Sequence, residues 1–157
     1  MARTGIGDFD FLVGAWTVAN RRLVRRLVGS TDWEEFEGKA NCRKILNGMG
    51  NIDEIAFPTK GYTGATLRLF DPDLEQWSLY WTSTLTGQLE PPVRGRFSDD
   101  IGDFYGDDAH NDIPILVHYR WSEITPTGAR WEQAFSTDGG STWERNWIMD
   151  FSRIEGG

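Results

Sequence analysis

Apolar and polar residues alternate along this chain with a period of two. Ile115, Val117, Tyr119 and Trp121 alternate with Leu116, His118 and Arg120, and Trp77, Leu79 and Trp81 with Ser78, Tyr80 and Thr82. Trp143, Arg145, Trp147, Met149 and Phe151 share one parity near the C-terminus. Runs of this kind, rich in β-branched and aromatic residues, fit a pleated surface and not a helix. Turn-forming residues separate them: Gly29-Ser30, Asn47-Gly48, Asp71-Pro72-Asp73, Thr86-Gly87, Pro126-Thr127-Gly128 and Asp138-Gly139-Gly140. The spacing predicts roughly nine or ten strands of about 5–12 residues joined as hairpins. One short helical turn is expected over residues 9–12, capped by Asp8. Residues 90–112 are the least regular; they predict short strands near 94–97 and 102–106, with His110 in an acidic loop.

A run of antiparallel hairpins with almost no helix has one face to bury. At this length it does so by closing on itself or by stacking two sheets. Closure also removes exposed edges, and the chain order of hairpins favours an up-and-down barrel over residues 1–157 as a single domain. In such a barrel the first and last strands are antiparallel neighbours. Trp16 is then expected close to Phe151 and Arg153, with the arginine over the indole face where the barrel closes.

Composition narrows the class of function without naming a reaction. Sixteen Lys and Arg against 24 Asp and Glu give a net charge of −8. Such a chain is repelled by phosphate backbones, so no nucleic-acid partner is expected. No apolar run is long enough to span a bilayer and the first ten residues hold no apolar signal core, so a cytoplasmic protein with no membrane partner is expected. The single cysteine, Cys42, excludes an internal disulfide framework and a cysteine-based zinc site. Aromatics make up 13% of the chain, eight of them tryptophan, and they are the feature most out of the ordinary.

The segment Phe9-Asp10-Phe11-Leu12-Val13-Gly14-Ala15-Trp16 resembles the opening of the DUF1579-like family, whose members have calycin-like barrels of the lipocalin or fatty-acid-binding type. The resemblance continues through Trp33-Glu34-Glu35-Phe36, Gly50-Asn51-Ile52-Asp53-Glu54, Leu67-Arg68-Leu69-Phe70-Asp71-Pro72 and Trp77-Ser78-Leu79-Tyr80-Trp81. It extends to Gly95-Arg96-Phe97, Phe104-Tyr105-Gly106-Asp107-Asp108, Arg130-Trp131-Glu132-Gln133-Ala134-Phe135 and the stretch from Ser136 to Trp147. It implies an all-β, antiparallel up-and-down calycin-like barrel of about 8–10 strands and a small-molecule cavity; it implies no catalytic residue. The haem-binding relatives carry a G-x-W-x-G-x-G element, whereas Thr17 to Asn20 hold no glycine, so no cofactor is expected. Ser136 to Trp143 also matches the S-x-D-x-G-x-T-W hairpin that sialidase-like propellers repeat. Here it occurs once and reads as a turn tied by Ser136 and Asp138, with Trp143 packed over it.

Several constellations bear on chemistry. Arg22 and Arg26 share the parity of Trp16, while Arg21 and Arg25 point away. With Glu34, Glu35 and Glu37 on the next strand they either form a cross-strand charge ladder or, through an inward Arg22, meet an anionic head group. Asp53 and Glu54 are adjacent in a strand, so they face opposite sides; either one pairs with Arg68 or Arg96 inside the barrel or touches a ligand. His118 sits mid-strand with outward parity, and His110 lies near Asp107 and Asp108 in a solvated loop, so no metal site is expected. Cys42 has the setting of an inert buried thiol. No nucleophile elbow, metalloprotease helix or phosphate loop is present. These readings predict a cavity that binds a small hydrophobic or aromatic molecule, lined by Trp16, Arg22, Glu54, Arg68, Trp81, Tyr119, Trp121, Gln133, Arg145 and Trp147. The alternatives are an isomerase, cyclase or hydrolase using that cavity through a tyrosine or carboxylate of shifted pKa, and a module that pairs with a second copy through an aromatic face.

Overall fold

The computed structural model describes residues 5–154; the first four residues of the N-terminal segment lie outside the described part. Ten strands follow in order: β1 (Gly14–Leu23), β2 (Trp33–Ile45), β3 (Gly50–Phe57), β4 (Tyr62–Asp71), β5 (Gln76–Ser83), β6 (Val93–Ser98), β7 (Ile101–His110), β8 (Ile113–Ser122), β9 (Gly128–Ser136) and β10 (Glu144–Arg153). Each pairs antiparallel with its sequence neighbour, and β1 pairs with β10, so the sheet closes into a barrel. Along β1 the expected alternation holds: Trp16, Val18 and Asn20 are buried, Thr17, Ala19 and Arg21 exposed. Among the described residues helix is confined to two 3-10 turns, Asp10–Leu12 and Leu46–Gly48.

Three local features depart from the sequence reading. Asp8 does not cap the first turn; its carboxylate accepts a hydrogen bond from Trp77 Nε1 at 3.2 Å. The stretch expected to be irregular is more ordered, because β7 runs to His110. Asp99-Asp100 before β7 and Asn111-Asp112 after it all take positive φ, from 49° to 67°, as the tightest hairpin turns require. Asp and Asn tolerate that region, so these turns needed no glycine to mark them. Finally, a β-bulge interrupts β10. Arg145 pairs with Ala134 and Trp147 with Gln133, leaving Asn146 as the extra residue. The insertion flips parity, so Arg145 and Trp143 do not share the inward face of Trp147, Met149 and Phe151.

The closure sits where expected. Trp16 is the register partner of Arg153, and the guanidinium carbon lies 4.2 Å from the indole centroid. Arg153 also donates to the carbonyls of Val13 (2.7 Å), Phe11 (2.5 Å) and Pro126 (3.0 Å). Gly14 makes room for this fork: its φ is 123°, and a Cβ there would stand 2.7 Å from Arg153 Nη1.

The N-terminal turn plugs this closed end. The Phe9 ring packs at 4.9 Å from Trp77, 5.0 Å from Phe97 and 5.9 Å from Phe104. Trp16 Nε1 donates to Leu12 O at 2.9 Å, which satisfies the buried indole. One half of the interior is thereby filled with aromatic rings.

Candidate functional site

The other half of the barrel holds a cavity of about 420 Å³. That volume lies in the range of small-molecule sites. Its walls are Trp81, Tyr119, Trp131, Trp147 and Phe135, its floor Trp121 with Arg68, Asp53 and Thr66, and its mouth Arg26, Glu90, Asp108 and His110. Strand parity places each wall residue: Tyr119 and Trp121 alternate inward on β8, Trp131 and Gln133 on β9, Trp147 and Met149 on β10 beyond the bulge. Edge-on contacts of Trp147 with Trp131 (5.6 Å) and Trp81 (6.3 Å) knit the wall together.

Six of the ten residues expected to line a cavity do so: Arg68, Trp81, Tyr119, Trp121, Gln133 and Trp147. The other four do not. Trp16 is fully buried under Arg153 at the plugged end. Arg22 has the expected inward parity but stops short of the cavity. Its guanidinium lies 4.7 Å from the Trp147 centroid and 4.8 Å from that of Phe36, donates to Tyr62 Oη at 3.0 Å and pairs with Glu34 at 3.4 Å. Arg145 is turned outward by the bulge and pairs with Glu132 at 2.6 Å on the exterior. Glu54 is exposed, and its neighbour Asp53 takes the inward place. Asp53 shares parity with the buried Ile55 and Phe57, whereas Glu54 shares it with Ile52 and Ala56, which are only half-buried, and with the buried Gly50, which has no side chain to place in the core.

Arg68 organises the floor. It is 3% exposed, and its Nη1 lies 2.6 Å from Asp53 Oδ2 and donates to Asn51 Oδ1 at 2.8 Å. Its guanidinium carbon sits 5.2 Å from the Phe9 centroid and 5.7 Å from that of Trp121, so it spans plug and cavity. A buried guanidinium with a carboxylate partner avoids the penalty of a lone buried charge. Polar side chains continue around the wall: Trp147 Nε1 donates to Asn20 Oδ1 at 2.9 Å and Gln133 Nε2 to Asn146 Oδ1 at 2.9 Å.

The mouth residues were not expected from sequence. His110 and Asp108 lie on the end of β7, and Glu90 arrives on the 84–92 connection, anchored by its amide donating to Trp81 O at 2.8 Å. Burial, and then the charge of Asp108, raises the Glu90 carboxyl above the usual range. Burial, and then the nearby Arg26, lowers His110. Burial raises the Tyr119 phenol well above its ordinary value, reinforced by Glu90 and Asp108. No sequence motif marks these groups, because they meet only through the end positions of separate strands.

Residues set aside as structural fall outside the cavity. His118 faces outward, 2.6 Å from Asp103 and stacked on Tyr105 at 4.6 Å. Arg96, expected with Arg68 as a partner of Asp53 or Glu54 inside the barrel, lies instead on the exterior, because its strand parity faces outward, and donates to Leu74 O; of the two arginines it is Arg68 that pairs with Asp53. Cys42 is buried, and burial pushes its thiol up to about 11. No grouping of His, Cys, Asp and Glu suited to a metal ion occurs among the described residues.

The fold has a solved counterpart. The S-type phycobiliprotein lyase CPES from Guillardia theta superposes with a TM-score of 0.60 over 99% of this chain and 96% of that one, at 12% sequence identity. At that identity the likeness is one of fold. No protein-family model and no curated protein matches the chain. The chain is an all-β, antiparallel barrel, closed and ten-stranded, and shares its fold with that lyase.

Proposed function

We propose that the chain is a binding protein of DUF1579-like type that holds one small, mostly apolar or aromatic molecule in the open half of its barrel. One observation carries this reading: the interior above the plug is an aromatic-walled space of about 420 Å³ instead of a side-chain-filled core. Barrels of this size either fill with side chains or hold a single ligand, and ring-lined walls with a few placed polar groups suit a flat apolar molecule. That a barrel of the same architecture belongs to a phycobiliprotein lyase fits a fold used around small molecules. The test is fluorescence enhancement of the neutral probe N-phenyl-1-naphthylamine, in the native protein and in Ala40→Leu, which adds carbon into the cavity. Enhancement that falls in the variant supports the reading. No enhancement, or enhancement indifferent to the variant, defeats it.

A second reading makes the cavity an acid–base active site, and Glu90 favours it. This half-buried carboxyl lines the cavity with no ion pair among the described residues and is raised above its usual range by burial and Asp108. It predicts chemical conversion of a bound molecule, detected by mass spectrometry and lost in Glu90→Gln; unchanged ligand after prolonged incubation rejects it.

A further inference from the structure

Three buried side-chain atoms among the described residues have no hydrogen-bond partner: Arg68 Nε, Trp121 Nε1 and Asn146 Nδ2. All three are donors; no buried side-chain oxygen is left over. Native proteins seldom leave such groups unmet, and an unmet donor is penalised because it has lost water without gaining an acceptor. Two of the three belong to the cavity floor, where Arg68 and Trp121 are 3% and 2% exposed and the guanidinium carbon is 5.7 Å from the indole centroid.

The two residues differ in what they still need. Arg68 has its charge balanced by Asp53 and spends Nη1 on Asp53 and Asn51. Its Nη2 makes no hydrogen bond to the described residues, its buried Nε–H has no partner, and neither does the N–H of Trp121. The floor therefore lacks an acceptor but not an anion. A second carboxylate would sit beside Asp53 with only one guanidinium between two negative charges, in a place where an unpaired charge is costly. A cation or a further donor would meet N–H groups head-on.

We propose that the cavity floor is a subsite for an uncharged hydrogen-bond acceptor, a carbonyl oxygen on an apolar or aromatic ligand, served by Arg68 and Trp121. This inference rests on the ligand-binding reading and adds the chemical class of the end that enters first. Neither nitrogen is itself open to water, so the guanidinium or the indole turns toward the bound oxygen as the ligand seats.

The test compares three naphthalenes of similar shape: 2-acetylnaphthalene with a neutral carbonyl, 2-isopropylnaphthalene with no acceptor, and 2-naphthoate with a charged one. Affinities come from quenching of the remaining tryptophans in the native protein, in Trp121→Phe and in Arg68→Lys, which keeps a cation for Asp53. In the native protein the ketone is expected to bind about tenfold tighter than the hydrocarbon, the effect of one satisfied donor, and tighter than the carboxylate. Each variant is expected to cut the ketone's advantage to about threefold or less with little change for the hydrocarbon. Equal binding of ketone and hydrocarbon by the native protein overturns the inference and leaves the ligand-binding reading standing. Tightest binding of the carboxylate overturns it also, and no binding of any probe removes both readings. The native comparison is decisive even where a variant fails to fold.

Discussion

Arg153 is the residue that joins the two ends of the sheet, and its replacement by methionine isolates what closure contributes. The change keeps an unbranched stem over Trp16 but removes the charge and the donor fork. Two of the lost hydrogen bonds, to Val13 O and Phe11 O, are partly buried, while the third, to Pro126 O, is exposed. Counting about 1 kcal/mol for each of the first two, little for the third, and about 1 kcal/mol for a cation over a fully buried indole gives roughly 2–3 kcal/mol. Part of that loss is recovered because water reaches carbonyls at the barrel end, so the lower figure is the firmer one. For a chain of this size the change lowers the thermal midpoint by about 4–12 °C. Urea unfolding followed by tryptophan fluorescence measures it as a shift in midpoint with an unchanged slope. Arg153→Lys restores the charge without the fork and is expected to recover less than half. Gly14→Ala, which puts a methyl into the space of Nη1 at a φ of 123°, is expected to reproduce much of the loss. An Arg153→Met midpoint within about 0.5 kcal/mol of native, the range of ordinary surface substitutions, refutes the closure argument.

Three other changes probe separate parts of the barrel. Asp138 is held down to about 2 by hydrogen bonds from Thr142 and Ser136; its folded value is depressed, so its contribution is present above an ordinary carboxylate pKa and fades as pH falls toward 2. Asp138→Asn is expected to remove that part of the acid dependence, read from thermal midpoints between pH 2 and 5, and an identical slope in both proteins contradicts it. A Cβ on Gly64 would stand 1.9 Å from Trp81 Cη2, so Gly64→Ala drives that indole into the cavity, lowering stability by about 1–3 kcal/mol and weakening naphthalene binding; unchanged quenching shows that Trp81 does not bound the site. Cys42 is buried, with its thiol pushed up to about 11, so a disulfide reagent at pH 8 is expected to label the native chain no faster than it unfolds, and stoichiometric labelling within minutes disproves the burial.

The sequence carried the sheet more faithfully than the site, and the reason is what each depends on. Strand rhythm is a local property: Trp77, Leu79 and Trp81 alternate whatever else the chain does, and closure brought Trp16 to Arg153 because an up-and-down order leaves no other neighbours. A site depends on which parity faces in at each height, and one extra residue undoes that. The bulge at Asn146 sent Arg145 outside while leaving Trp147 inside, although both carry the same parity in the chain. Asp53 and Glu54 both have apolar neighbours of their own parity, Ile55 and Phe57 for the one and Ile52 and Ala56 for the other, so only burial in the folded barrel distinguishes them. The mouth was illegible for a different reason. Arg26, Glu90, Asp108 and His110 come from three connections or strand ends, and no spacing along the chain predicts that those ends converge.

The division of the interior into a filled half and an open half follows from the placement of the N-terminal turn. Phe9 and Leu12 enter one end of the barrel and pack with Trp16, Trp77, Phe97 and Phe104, which fills that end. The opposite half also contributes to the core, through Phe36 and Phe57, but its tryptophans Trp81, Trp131 and Trp147 wall a space instead of filling one. Arg68 stands at the boundary, against both Phe9 and Trp121, whose rings also touch each other edge-on at 6.2 Å. Its pairing with Asp53 balances its charge, but its Nε–H is left without a partner at the level where the open half begins. A barrel built for stability alone is better served by an apolar residue there, since replacing a buried ion pair with well-packed hydrophobic groups is often neutral or stabilising. A charged pair with an unmet donor at this height is therefore better accounted for by what the open half holds than by stability.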